Sequence, residues 1–346
     1  MIKYILRRLI QAVPTFLGIT ILSYMIMWAA PGDPVSLMTF DPTIKQETKE
    51  RLANALGVND PLPIQYLRWL IGDEWKVIDE DADGVPDERP ADGLTRVRYG
   101  ILRGDFGDSF YLRQDALELI VQRIPATLEL SVTALIVSLT VGLPIGILAA
   151  VWRGGWFDQF TRVGAVVGNA VPGFWMGIML ILFFGAILGV LPMGDRGCPT
   201  RGECTPLYMR LDHLILPTVV LSLGGIAGYS RYMRASMLEQ INSDYIRTAR
   251  AKGLPNRLVW FKHGAKNALI PIATFLGPTL TGLIGGAVIT ETIFSWPGMG
   301  RLLVSALTRR DYPIVMAGVV VGSILTILGY IISDVLYAVV DPRIRF

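Results

Sequence analysis

Six long apolar runs constrain this chain more than any other feature. They lie roughly at 9–30, 128–151, 163–190, 212–234, 268–290 and 313–340. Each is long enough to cross about 30 Å of hydrocarbon as a helix. Backbone amides in lipid must find partners within the chain, so continuous runs of this length span as helices. Only 18% of the residues are charged, against about 25% in soluble domains. Six such runs are too many for one soluble core. The expected fold is an all-α polytopic membrane protein with six transmembrane helices. Pro144, Pro172, Pro217 and Pro278 fall inside the runs, where neighbouring helices can re-satisfy the freed carbonyls. The first run follows Lys3, Arg7 and Arg8, much as in a secretory leader. It is long for one and has no small-x-small pattern before Pro31, so it reads as a retained first span.

Charge orients the spans. With the N-terminus inside, the segments on that side carry fifteen Lys and Arg, eight of them between Arg231 and Lys266. The segment 31–123 then lies outside, with eighteen Asp and Glu against eleven Lys and Arg. Its length makes it a weak vote. The two shorter outer loops hold three basic residues each. Both termini are expected in the cytoplasm. Cys198 and Cys204 fall in the outer loop between the third and fourth runs, where an oxidising exterior permits a disulfide; two free thiols are the other reading. A bond closing so short a loop restrains mainly local geometry.

The outer segment reads as a small polar insert after the first helix. Pro61 to Leu70 has the pattern of a short helix with proline near its start. Its Tyr66, Trp69 and Leu70 can face the membrane or the bundle. Asp79, Asp81 and Asp83, then Gly84, Val85, Asp87 and Glu88, follow the first half of an EF-hand-like calcium loop over 79–90. Three carboxylates would supply oxygens, Gly84 the sharp turn, Val85 a carbonyl and Asp87 the ninth position. Pro90 stands where a bidentate Glu belongs, which leaves a looser calcium loop with Glu88, or an acidic solvated turn. Calcium here would be structural.

Between the fourth and fifth runs lies a charged segment of a different kind. Asn242, Ser243 and Asp244 can cap a helix. From Tyr245 to Lys252 the pattern is helical, with Ile246, Ala249 and Leu254 on one side and Arg247, Arg250 and Lys252 around them. Gly253 can take the left-handed conformation that ends a helix. Pro255 starts the next segment, and a second helix runs from Leu258 to Leu269. Simple positive-inside charge does not explain two helices built around a glycine. A short rigid helix across the ends of the spans suits docking to a soluble partner.

The run from Tyr245 through Arg247, Thr248, Ala249, Arg250 and Lys252 to Gly253 and Leu254, with His263, Asn267 and Pro271 beyond, resembles the EAA loop of ABC-importer permeases. It is most similar to the dipeptide/oligopeptide/nickel branch. The usual Glu-Ala-Ala start is here Arg247-Thr248-Ala249, a departure usual in the peptide branch. Other matches are Tyr4 to Leu9, Pro31 to Pro34, Gly104 to Ser109, Arg123 to Leu130, Glu291 to Gly300 and Asp341 to Arg345, so the likeness covers nearly the whole chain. The acidic run 79–88 is not expected of a typical member.

The resemblance implies a type I ABC-importer permease fold and a bacterial or archaeal inner-membrane location. It implies that a second related permease, two cytoplasmic ATPases and an extracytoplasmic binding protein complete the transporter, with no nucleic acid involved. Residues about 244–266, within a coupling loop 235–267, would sit in an ATPase groove. The parts are then 1–30 with the first span, the insert 31–123, a five-helix core over 124–340 and the tail 341–346. No Gly-x-x-x-x-Gly-Lys-(Ser/Thr) phosphate loop, catalytic triad or zinc constellation occurs, so this chain is not expected to be an enzyme or to hold a cofactor. ATP and magnesium belong to the partners.

Di- or oligopeptides are the implied cargo, with nickel or another small solute as the alternative. An ion-coupled secondary transporter would favour mid-membrane ionisable residues and inverted repeats, and neither is evident. A membrane scaffold would not need the charged two-helix segment. Polar groups in the spans are few, and a carboxylate there signals a function or an internal partner. Glu129, Asn169, Tyr229, Thr279, Glu291 and Asp334 are the candidate pathway or gate residues. For Glu129 and Asp334 the alternative is a hydrogen bond at a helix end.

Overall fold

The computed structural model describes residues 2–29, 53, 57, 59–73, 99–198, 204, 206–272, 279, 282–283 and 287–340; for 2–5 and 333–340 it describes the backbone alone. The candidate calcium loop 79–90, with Asp79, Asp81, Asp83, Val85, Asp87 and Glu88, lies outside these residues, as do Pro31–Pro34 and the tail 341–346. Among the described residues the regular elements are helices. Four of the helices are long and apolar enough to span: Leu6–Ala29, Ala116–Val151, Leu211–Ile241 and Tyr312–Ile332. A bent pair, Trp156–Ala170 with Gly173–Ile187, makes a fifth span if it is one. Much of the expected run 268–290 is outside the described residues.

The chain forms two compact units, one of Ile124–Arg301 with Leu325–Phe346, the other of Ile2–Arg123 with Leu302–Ile324. In the second unit, α1 (Ile2–Ala29) carries α2 (Leu62–Ile71) on its flank. Tyr24 of α1 meets Tyr66 and Trp69 of α2 at ring separations of 5.7 and 5.9 Å, and Thr20 Oγ1 lies 3.0 Å from the Tyr66 hydroxyl. Arg68 is buried, which a guanidinium tolerates only when paired. It donates to Asp60 at 2.9 Å and to Asp73 at 3.1 Å. Further along, Asp311 accepts hydrogen bonds from the Ser109 hydroxyl and the amides of Phe110 and Tyr111. That carboxylate fastens the Gly104–Ser109 turn to the residue before α12 (Tyr312–Val340).

In the first unit, α3 (Ala116–Val151) crosses α6 (Leu211–Ile241) closely. A Cβ added to Gly146 would stand 2.5 Å from the Ser230 carbonyl oxygen, and one on Gly225 would meet Ser138. Small residues permit such an approach where the hydrophobic effect gives no drive for helices to associate. Ile147 and Ala150 of α3 pack with Met233 and Met237 of α6 and with Ala265, Ala268 and Ile272.

The apolar run at 163–190, expected as one span, is broken. Helix α4 (Trp156–Ala170) and helix α5 (Gly173–Leu180) meet at 96°, and α5 continues as a π-helical stretch over Ile181–Ile187. Pro172 is the cause. It offers no amide, and it drives the preceding residue out of the helical region; Val171 is extended, with φ −76° and ψ 123°.

Candidate functional site

The charged segment leaves α6 through Asn242 and Ser243 into α7 (Asp244–Ala251). Ser243 occupies the N-cap position without a side-chain capping bond; its hydroxyl donates backwards to the Gln240 carbonyl at 2.6 Å. The other end of α7 closes as a Schellman motif. The Gly253 amide donates to Arg250 O and the Leu254 amide to Ala249 O. Gly253 has φ +74°, a conformation L side chains disfavour. Leu254 folds under the helix against Ile246, Ala249 and Val259, and Ile246 and Val259 are fully buried. Pro255 then opens α8 (Asn256–Leu258), a π-helical turn Val259–Gly264 and α9 (Ala265–Ala268).

This packing sorts the predicted coupling residues. Ala249 and Leu254 belong to the underside that holds α7 in place. Tyr245, Arg247, Thr248, Arg250, Lys252 and Gly253 are exposed. Arg250 stacks over the Trp260 ring at 4.5 Å, so its charge is positioned rather than free to sweep. Thr248 bonds back to Asp244 O at 2.9 Å, and Tyr245 donates to Gln240 at 2.8 Å. The result is a compact, mostly cationic knob on a short helix with a fixed end.

The span polar residues fall into separate places. Glu129 of α3 receives Arg196 at 2.6 Å and both terminal nitrogens of Arg210. The two arginines flank the bonded pair Cys198–Cys204 (Cα–Cα 4.8 Å). Glu291, in α10 (Val288–Ile293), is fully buried. It accepts from the Thr127 hydroxyl at 2.8 Å and from the Arg301 amide at 2.9 Å. That amide belongs to the first turn of α11 (Met299–Arg309), so Glu291 caps the helix from a distance. Cβ atoms on Gly298 or Gly300 would strike its carboxylate, which explains the glycines of the Trp-Pro-Gly-Met-Gly turn. Trp296 is fully buried and donates to Ala126 O at 2.8 Å.

Asn169 borders a cavity of about 660 Å³ at the α4–α5 break, together with Pro172, Phe174, Val220, Gly224 and Thr290. The Tyr229 hydroxyl lies 3.1 Å from Thr279 Oγ1, away from that cavity's lining. The Asp334 side chain lies outside the description. Among the described residues no group of three His, Cys, Asp or Glu is placed to hold a metal.

Sequence reading missed Arg196, Arg210 and Thr127, and also Asp158 and Arg234. Asp158 is 1% exposed and takes a two-pronged pair from Arg234, at 2.6 and 2.9 Å. These partners stand 67, 81 and 76 residues apart for Glu129–Arg196, Glu129–Arg210 and Asp158–Arg234. No local pattern joins them.

Long apolar helices, one of them followed by a short, charged and well-anchored helix, define an integral membrane protein. The chain belongs to the family described as binding-protein-dependent transport system inner membrane component: that family's model matches residues 142–346, and the model of its N-terminal region matches 1–83. It is 40% identical to the oligopeptide transport system permease protein AppB of Bacillus subtilis over all of both chains. It is 39% identical to the dipeptide transport system permease protein DppB of Escherichia coli, over all of this chain and 99% of that one. Among solved structures, a chain of the MetNI methionine ABC transporter in an inward-facing conformation matches with TM-score 0.51 and 19% identity, covering 65% of this chain and 97% of that one. That last likeness speaks for the fold alone.

Proposed function

We propose that this chain is the permease subunit of an ATP-driven importer of di- or oligopeptides, pairing with a second permease. It forms half of the translocation path with six spans, the fifth within 268–290, and both termini are cytoplasmic. Two ATPases dock on the cytoplasmic side and supply ATP and magnesium, and a binding protein delivers cargo to the outer face. The insert 31–123 lies on that outer face. The observation that carries the reading is α7. It is held underneath by Ile246, Ala249 and Leu254 and fixed at its end by Gly253, leaving its cationic face exposed. A helix so fixed transmits displacement, whereas a loose loop would absorb it. The peptide cargo follows from the names of the full-length relatives. Asn169 and the cavity at the α4–α5 break are where cargo would pass.

The test is reconstitution of the permeases, ATPases and binding protein in vesicles. ATP-dependent accumulation of a labelled di- or oligopeptide panel is expected. Accumulation of nickel and of no peptide would sink the cargo assignment. ATPases that co-purify equally well with a permease carrying Arg247→Glu and Lys252→Glu would sink the role of α7.

A further inference from the structure

A rigid knob is useful only if something carries its movement to the path. Helix α6 is continuous from Leu211 to Ile241, so its last turn meets α7 while Val220, Leu221, Leu223 and Gly224 border the cavity. Helix α4 packs along α6. Its far end, Gly168 and Asn169, borders the same cavity. The two helices run antiparallel. Asp158 meets Arg234 at one end, and at the other Asn169 Oδ1 stands 3.9 Å from where a Cβ of residue 224 would sit. The ion pair is therefore ten residues from the cavity along each helix, about 15 Å.

The Asp158–Arg234 pair is a charged contact within an extensive packing of α4 along α6. The face of α4 away from α6 is apolar and exposed at Val163, Val166 and Val167. Asp158 supplies the register. Beyond the two bonds to Arg234, it accepts the Gly154 amide at 2.9 Å and has Arg162 at 3.6 Å. It thus fastens the α3–α4 turn and the α4 start to α6 at one point. We propose that the Asp158–Arg234 pair is the strut that makes α4 follow α6, so that displacement of α7 reaches the cavity wall at Gly168 and Asn169. Asp158 and Arg234 are positioning residues for transport. The proposal rests on the reading of α7 as the ATPase contact.

The experiment uses the complete reconstituted transporter with spin labels at Val166→Cys on α4 and Tyr232→Cys on α6, the native cysteines being bonded to each other. The inter-label distance is measured without nucleotide and after trapping with magnesium-ATP and vanadate. With the strut intact, the distance stays the same in both states. With Asp158→Asn, it is expected to match wild type without nucleotide and to shift by roughly 1–5 Å or broaden on trapping. A wild-type distance that changes on trapping, or an Asp158→Asn distance that does not, overturns the strut. A variant that is merely destabilised melts earlier yet shows no nucleotide-dependent shift, and that also counts against it. Failure of α7 itself is read separately, by ATPase co-purification with the Arg247→Glu, Lys252→Glu permease.

Discussion

At the scale of single residues, two glycine environments make opposite predictions. Gly253 sits at φ +74° with no heavy atom of this chain within 4 Å of an added Cβ. Substitution there strains only the backbone, by roughly 1–2 kcal/mol for an ordinary L residue. Gly253→Ala is expected to leave insertion intact and to lower peptide uptake per ATP hydrolysed. Gly253→Asn, which tolerates the left-handed region, is expected to retain most of it; equal uptake per ATP in all three proteins would remove the need for that conformation. Gly298 is the converse. A Cβ there would stand 2.2 Å from the Glu291 carboxyl carbon, and that carboxylate is held on both oxygens. Gly298→Ala is expected to cost about 1–3 kcal/mol through overpacking. Glu291→Gln should cost a similar amount, because one of its two donors would face an amide NH₂. Thermal unfolding in detergent checks both, and a wild-type midpoint for either variant contradicts the remote cap.

At the scale of elements, what could be read from the sequence was what is decided locally. The α7 turn was legible because Gly253 and Pro255 each impose a backbone state on their own position. The apolar underside of Ile246 and Ala249 followed from helical spacing, and Leu254 joins it through the Gly253 turn. The break in 163–190 was not legible from hydropathy, which counts apolar residues along the chain and is blind to a 96° change of direction. Pro172 was visible as a tolerated span proline; its effect depends on whether neighbours let the helix kink or stop. Capping by Ser243 was expected from residue type, but its hydroxyl found the Gln240 carbonyl instead. Glu129 was recognised as notable, while its partners Arg196 and Arg210 come from a different loop and were invisible until folded. That cluster yields a prediction about the disulfide loop. Cys198→Ser removes a small covalent ring worth about 2 kcal/mol by chain entropy. Glu129→Gln removes the carboxylate charge that two largely buried guanidinium groups share, and breaking a buried pair costs roughly 3–5 kcal/mol. The Glu129 variant is expected to melt lower and to expose the 196–210 segment to protease sooner. The reverse order would mean that the covalent bond, not the ion cluster, holds the loop.

At the scale of the whole molecule, the chemistry that drives transport is expected to lie in other chains, so association must be specific without being permanent. The exposed face of α7 is suited to this. Arg247 and Lys252 stand in solvent, with Arg247 only loosely matched to Asp244 at 3.5 Å across a pair that is 73% and 96% exposed. Such a pair contributes little to the permease's own stability, which leaves its charge available to a partner. Charges of this kind raise association rates and fix orientation more than they set final affinity. The apolar side of α7 is meanwhile committed to Val259 and Leu254, so it cannot be the docking face. The ATPase contact on this chain is therefore expected to be strongly salt-dependent. Raising ionic strength from about 0.1 M to about 1 M shrinks the screening length from about 10 Å to about 3 Å. ATPase binding to the solubilised permease should weaken markedly over that range, mainly through a slower on-rate. Arg247→Gln with Lys252→Gln should flatten the salt dependence while leaving the permease's melting temperature unchanged. Surface plasmon resonance with immobilised permease measures both. A salt-independent on-rate in the wild-type protein would mean that the partner grips α7 by shape alone and that its cations serve only to hold the segment on its side of the membrane.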